Sequence, residues 1–271
     1  MKEITEVSEI QDIAYRLLVL FHEFCEKNNL RYILAGGTML GAVRHHDFIP
    51  WDDDVDVQMP REDYERFLKL AKDGIGENTG LISRDTMKIP YIAFSKIIDT
   101  RTVLYEDISI ENREGIYIDV FPTDGLPDDD AEIEKHFRKI QRMKKVLRIR
   151  TLKIKRGKSF LGFLAKIVLV PPIRLFVSPK KIVSKIDEFA KSYSFEKCER
   201  VAFQVCGFGI REVTRKDKYL ERIKVKYRDA ELYVPSNYDE YLTSLYGDYM
   251  TPPPIKRQVT HHSFKAYWLD K

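Results

Sequence analysis

The sequence predicts an α+β fold in which a small mixed sheet is flanked by helices and followed by a helical C-terminal elaboration. Three observations predict it. Short β-rich runs bounded by Gly and Pro crowd the first half of the 271 residues. Helical periodicity dominates the second half. A dense carboxylate run, Asp52-Asp53-Asp54-Val55-Asp56, opens directly into an alternating strand pattern.

Taken in order, Ser8 and Gln11 have the spacing of a capping box, after which Ile10, Ile13, Ala14, Leu17, Leu20, Phe21 and Phe24 recur at helical intervals. This predicts a first helix ending near Asn28-Asn29. Residues 32–35 read as a short apolar strand, Gly36-Gly37 as a turn, and 38–43 as a helix start. Residues 55–59 form the next strand, stopped by Pro60. A helix over 61–72 carries Tyr64, Phe67, Leu68 and Ala71 on one face. Residues 91–98 and 115–121 are further strands, with a shorter one over 100–105. The turn-rich PTDGLPDDD begins at Pro122, and a long helix follows from about Asp130. The chain therefore divides into a catalytic core over 1–130 and a helical elaboration over 131–271. The elaboration contains an insert at about 138–178 and a C-terminal segment that closes the site.

A hydrophobic fraction of 44% is that of a packed protein rather than a disordered one. The formal charge is only +4, yet residues 103–134 hold eleven acids against Arg113 alone, and 135–158 hold twelve Lys or Arg and no acid. Such separation implies two opposed fields on the surface. Cys25, Cys198 and Cys206 lack CxxC spacing, which argues against a disulfide framework or zinc knuckle and suits a reducing compartment. The N-terminus lacks the order of a signal peptide, and no uncharged apolar run is long enough to span a bilayer.

In a strand, Asp54 and Asp56 share one face while Val55 and Val57 point to the core. Paired carboxylates repel unless a cation lies between them. The natural occupant is Mg²⁺, with Mn²⁺ as its substitute and nucleotide phosphates completing the coordination. Asp119, flanked by apolar residues in a later strand, is the third candidate ligand and the candidate base for an acceptor hydroxyl. Asp52 and Asp53 suit a supporting role in holding the loop. Gly36 and Gly37 permit close backbone approach to phosphate at a helix start, with the Thr38 hydroxyl beside them. The spacing is neither a P-loop nor a GxGxxG loop.

The Gly-Gly turn, LGAVRH, FIPWDDDVDV and IDVFPTDG together resemble the LicD family, and the likeness resumes at YGDYMTPPPIKRQVTHH. The resemblance implies a nucleotidyltransferase-like core. It makes Gly36 and Gly37 the donor-phosphate turn and Asp54, Asp56 and Asp119 the metal-binding and catalytic carboxylates. The implied reaction moves phosphocholine from CDP-choline to a hydroxyl of a lipid-linked cell-surface glycan such as a teichoic acid precursor, with CMP leaving. Arg44 can meet phosphate or orient the acidic loop, and His45 and His46 can do the same or lie on the surface. Lys96 or Arg101 can neutralise donor phosphate. Asp248, Lys256, Arg257, His261 and His262 are candidates to close the site. Trp51, Tyr91, Tyr105, Tyr117 and Trp268 are candidate faces for a choline headgroup. Transfer of another phosphorylated alcohol or sugar, ordinary nucleotidyl transfer, and a noncatalytic glycan- or membrane-binding module remain open.

Residues 138–158 combine positive charge with Ile140, Met143, Val146, Leu147 and Ile149 at helical intervals, and 160–177 are strongly apolar around Pro171-Pro172. The pair reads as a membrane-associated insert on an anionic surface, placing the protein peripherally on the cytoplasmic face of the cell membrane. Packing into the C-terminal core or an oligomer interface is the competing reading. Nucleic acid is not an expected partner, because the run lacks a base-reading motif and the Asp-rich side repels a polyanion.

Overall fold

The computed structural model describes residues 1–106, 114–152, 154, 160–260 and 264–270. In chain order the first half comprises β1 (Lys2–Ile4), α1 (Val7–Lys27), β2 (Ile33–Leu34), α2 (Gly36–His45), β3 (Asp56–Pro60), α3 (Arg61–Leu70), β4 (Thr79–Ile82), β5 (Ser95–Asp99), β6 (Thr102–Glu106) and β7 (Tyr117–Leu126). The second half adds α4 (Asp130–Thr151), α5 (Phe160–Phe176), α6 (Pro179–Ala190), β8 (Arg200–Phe203), β9 (Thr214–Arg215), α7 (Lys216–Leu220), β10 (Arg222–Tyr227), β11 (Ala230–Pro235), α8 (Tyr238–Tyr246) and β12 (Phe264–Trp268). Short 3₁₀ turns lie at Gly209–Glu212 and Ile255–Arg257.

The alternation read from the sequence builds the central sheet. Its strand order is β2-β3-β7-β5-β4, with β8 and then β9 added through the far half of β7. Strands β3 and β7 run parallel, and the other pairings are antiparallel. On one face Val57, Ile97, Ile118 and Val120 are fully buried. Helix α1 packs against β5 and β7, and its apolar stripe buries Ala14, Leu17, Leu18 and Phe21 completely. Each Leu or Phe side chain so buried contributes about 1.5–3 kcal/mol by leaving water. The opposite face is left for polar residues.

The α+β architecture expected from the sequence is present, but three local readings change. The Ser8 capping box does not form: the N-cap of α1 is Glu6, and Gln11 points elsewhere. Strand β7 does not stop at Pro122 but continues to Leu126. It pairs with β5 only as far as Val120 and with β8 only from Thr123. Pro122 falls between these two neighbours, where a missing N–H breaks no ladder bond. The second half is also less helical than expected, because β10 and β11 form a six-pair hairpin. Its turn residue Arg228, at φ +55°, is fixed by bonds to the His46 carbonyl, Asp47 and Asp12, each at 2.7 Å.

The membrane-associated insert is overturned. No helix of the described residues is long and apolar enough to cross a membrane. The basic helix α4 uses its apolar stripe inside the protein: Ile133, Phe137, Ile140 and Leu147 are buried, the last two in one cluster with Val183, Ile186 and Ala190 of α6. Arg150 and Arg174 donate to the carbonyls of Val177 and Leu152 at 2.9 and 2.7 Å, joining the chain on either side of α5. An amphipathic period reports only that a face is covered, and here protein covers that of α4.

Helix α6 is anchored to the sheet side by a buried charge network. Arg61, at the start of α3, forks onto Asp124 of β7 at 2.5 and 2.7 Å and reaches Asp187 of α6 at 2.9 Å. Arg84 and Lys191 also pair with Asp187. The guanidinium geometry suits a two-oxygen acceptor, so one side chain ties three elements together.

Candidate active site

Strand register brings the chemistry together. Asp56 of β3 stands beside Asp119 of β7, and Asp119 stands beside Lys96 of β5. Residues opposite one another in adjacent strands point to the same face, so an acid, an acid and a cation form a row across the polar side of the sheet. Lys96 is buried, and its Nζ lies 3.4 Å from Asp119 Oδ1, 3.7 Å from Glu114 Oε2 and 3.2 Å from the centre of the Tyr117 ring. Glu114 also accepts a hydrogen bond from the Tyr91 hydroxyl.

The loop before β3 supplies the remaining carboxylates. One oxygen each from Asp52, Asp53 and Asp54 comes within 4.8 Å of the others. This loop is held from beneath by Gln11, whose buried amide donates to the carbonyls of Asp52 at 2.8 Å and Ile49 at 3.3 Å. Thr38 acts through its hydroxyl, which accepts the Asp56 backbone N–H at 2.8 Å. The Asp56 carbonyl in turn accepts the Ala35 N–H at 2.9 Å. The start of α2 is thereby fixed to the start of β3.

Gly36 and Gly37 form the first turn of α2 rather than a turn preceding it. Gly36 has φ +45°, a region that favours glycine, and a Cβ there would stand 3.5 Å from Asp56 Oδ2 and 3.6 Å from the Tyr246 hydroxyl. A Cβ on Gly37 would meet Asp52 Oδ2 at 2.6 Å. The two glycines let backbone amides and carboxylates share one small space.

The electrostatics follow from that crowding. Burial, then the charges of Asp54, Asp119 and Asp52, push the Asp56 carboxyl well above its ordinary range, against the opposing pull of Lys96. Burial likewise raises Asp119 to about 6, the Lys96 ammonium holding it lower than burial alone would. Asp119 Oδ1 is enclosed beside the Lys96 ammonium, 3.4 Å away. An all-oxygen donor set of crowded, mutually repelling acids fits a hard divalent cation. Asp52, Asp53 and Asp54 have the spacing to coordinate one, with Asp56 and Asp119 facing the same polar side.

The other candidates are distributed unevenly. Arg44 donates to His45 Nε2 at 3.0 Å and to the Tyr249 carbonyl at 2.5 Å, so it braces the C-terminal segment. His46 caps α2 in a left-handed conformation at φ +53° and contacts the Ala42 carbonyl through Nδ1 at 3.1 Å. Arg101 is committed to Asp99, at 2.6 and 3.0 Å, and lies over the Trp268 ring. Tyr105 and Trp268 belong to the β1-β12-β6 sheet, and Trp51 packs against the core. Asp248 accepts the Thr251 N–H at 3.3 Å, and Lys256 and Arg257 are exposed on a 3₁₀ turn. His261 and His262 lie outside the described residues. The residues that sequence reasoning passed over are Gln11, Glu114 and Tyr246. Gln11 lies in the capping-box spacing and Tyr246 opens YGDYMTPPPIKRQVTHH, but neither pattern points to the role, because each residue reaches the site through long-range packing.

Comparison with known proteins supplies the remaining context. Residues 29–148 match the family model described as LicD/FKTN/FKRP, nucleotidyltransferase domain. The chain is 29% identical over 272 residues to the lipopolysaccharide cholinephosphotransferase LicD of Haemophilus influenzae, covering 99% of this chain and all of that protein. A 38-residue stretch is 55% identical to human ribitol 5-phosphate transferase FKRP, covering 14% of this chain and 8% of that one.

Proposed function

We propose that this chain, which belongs to the LicD nucleotidyltransferase family, is a phosphotransferase that moves phosphocholine from CDP-choline to a hydroxyl of a cell-surface glycan. The coarser activity, a nucleotide-linked phosphotransferase, rests on the near-full-length similarity to a cholinephosphotransferase. The observation that carries the chemistry is the row of Asp56, Asp119 and Lys96 facing the same space as the first turn of α2.

In this reading the amides of the Gly36–Gly37 turn receive the donor phosphate, where the helix start favours negative charge. A divalent ion held by Asp54, Asp56 and Asp119, with Asp52 and Asp53 supporting, would neutralise the diphosphate and ease departure of the nucleotide phosphate. Asp119 accepts the proton of the acceptor hydroxyl. The acceptor oxygen forms a new P–O bond. The bond to the bridging oxygen breaks, and CMP leaves with that electron pair. Lys96 balances charge beside Asp119. Thr38 and Gln11 hold the two segments that carry the acids.

A second reading follows from the FKRP similarity: the donor carries another activated alcohol, such as ribitol phosphate. Incubation with a panel of CDP-linked alcohols, Mg²⁺ and glycan acceptors, with mass analysis of products, separates the readings. CMP release with phosphocholine on the glycan supports the first. Transfer only from another CDP-alcohol supports the second. Pyrophosphate release from a nucleoside triphosphate, with the nucleotide retained on the acceptor, refutes both.

A further inference from the structure

The last turn of α8 places Tyr246 at the site from the far end of the chain. Its hydroxyl and Asp56 Oδ2 face the same point above Gly36, 3.6 and 3.5 Å from where a Cβ would stand. No hydrogen bond to this hydroxyl is made among the described residues. Two other hydroxyls that face the sheet, those of Tyr241 and Tyr219, are both engaged, with Gln58 and Thr123 respectively.

The position is firmly built. Tyr241 of α8 is held by Gln58 at 2.9 Å and donates to Glu212. Ser244 donates to the Arg211 carbonyl at 3.1 Å, and Arg211 reaches the Leu245 carbonyl at 3.4 Å. Just beyond the helix, Arg44 grips the Tyr249 carbonyl. The Phe208 ring meets the Tyr246 ring edge-on, with centroids 5.3 Å apart. A side chain braced on both sides needs little reorganisation when a substrate arrives. At neutral pH a tyrosine hydroxyl keeps its proton. A neutral O–H among carboxylates is a directional donor that adds no further negative charge for an incoming phosphate to oppose.

We propose that Tyr246 is a substrate-contacting residue whose hydroxyl donates a hydrogen bond to a non-bridging oxygen of the donor phosphate seated on the Gly36–Gly37 turn. This rests on the phosphotransferase reading above. The residue would then help to select donors with a phosphate at that distance from the leaving group.

Tyr246→Phe removes only the oxygen and keeps the ring against Phe208, so fold and packing are preserved. A hydrogen bond to a charged oxygen predicts a loss in kcat/KM of roughly 10- to 100-fold. The discriminating measurement uses donors in which sulfur replaces one non-bridging oxygen of the transferred phosphate, each diastereomer tested separately. In the unaltered protein one diastereomer should be slowed by loss of this contact, and Tyr246→Phe should abolish that part of the difference, as in a double-mutant cycle. Equal kcat/KM for the two proteins, or an equal loss with oxygen and both sulfur donors, overturns the contact and leaves the transferase reading standing. Absence of transfer by the unaltered protein from every activated alcohol overturns the reading and the contact with it.

Discussion

Replacing Gly37 by Ala separates the fold from the site. The added Cβ would lie 2.6 Å from Asp52 Oδ2, at least about 0.8 Å inside ordinary contact. The obstacle is the end of a side chain, so it can swing aside without moving backbone. Gly37 is also the second residue of α2, where Ala is favoured over Gly by up to about 0.5–1 kcal/mol. The unfolding free energy of Gly37→Ala should therefore stay within about 1 kcal/mol of the unaltered protein. Asp52 must nevertheless leave its place beside Asp53 and Asp54, and displacing such a supporting group typically costs roughly 10- to 100-fold in metal affinity or turnover. Neighbouring glycines provide internal controls. Ala at Gly36 meets φ +45° and should cost about 1–2 kcal/mol. At Gly41 the Cβ would stand 2.6 Å from the Asp47 carbonyl, which is backbone, and overpacking should cost about 1–3 kcal/mol. The assays are urea denaturation of the metal-free proteins, Mn²⁺ affinity by calorimetry, and transfer rate. A Gly37→Ala protein destabilised by more than about 2 kcal/mol, or one with unchanged Mn²⁺ affinity and turnover, would refute the reasoning.

Three further outcomes are expected. Gln11→Leu leaves the Asp52 carbonyl without its donor and should cost about 1–3 kcal/mol while weakening Mn²⁺ binding; stability loss with unaltered Mn²⁺ affinity would show that Gln11 does not position the acids. Burial raises the Glu212 carboxyl from 4.5 to about 7, so the folded state holds this proton more tightly than the unfolded state. Its stabilising contribution is complete below pH 4.5 and is lost as the pH rises towards 7. Glu212→Gln should remove a pH-dependent difference on the order of 2–3 kcal/mol across that window, and a constant difference between the two proteins from pH 4 to 8 would exclude this account. Arg61→Met strands Asp124 and Asp187 and should cost about 3–5 kcal/mol at pH 7. The loss should shrink in acid as Asp124 takes up a proton, its carboxyl already being raised by burial. An equal loss at pH 5 and pH 7 counts against the charge network.

The legible parts of the molecule are those whose signal is local. Val55, Val57, Ile118 and Val120 alternate with Asp56 and Asp119, so both strands and their acid-bearing face could be read from period two alone. That Asp56 and Asp119 would become register partners required parallel pairing across more than sixty residues, which no local pattern encodes. The α4 stripe was visible, but its period is the same whether lipid or α6 covers it. Gln11 looked like a capping residue because its spacing from Ser8 was right, although its amide reaches forty-one residues along the chain. The β10-β11 hairpin lacks an Asn-Gly or Asp-Gly turn, since Arg228 takes the left-handed position under its own hydrogen bonds. Tyr246 opens the stretch in which the family likeness resumes, but only the fold brings its hydroxyl beside Asp56.

The change of partner along β7 bears on how this protein can be dissected. The stretch that matches the family model, 29–148, ends before Arg200–Phe203, the strand that completes the second half of β7. A fragment cut to that stretch would leave Thr123–Leu126 as an open sheet margin with unsatisfied backbone groups, a template for association with other copies. It would also lose the Asp187 that shares Arg61 and the α8 tyrosine that faces Asp56. The stretch covered by the family model is therefore smaller than the unit of folding, and expression of residues 29–148 alone should yield aggregate where the whole chain yields a monodisperse protein.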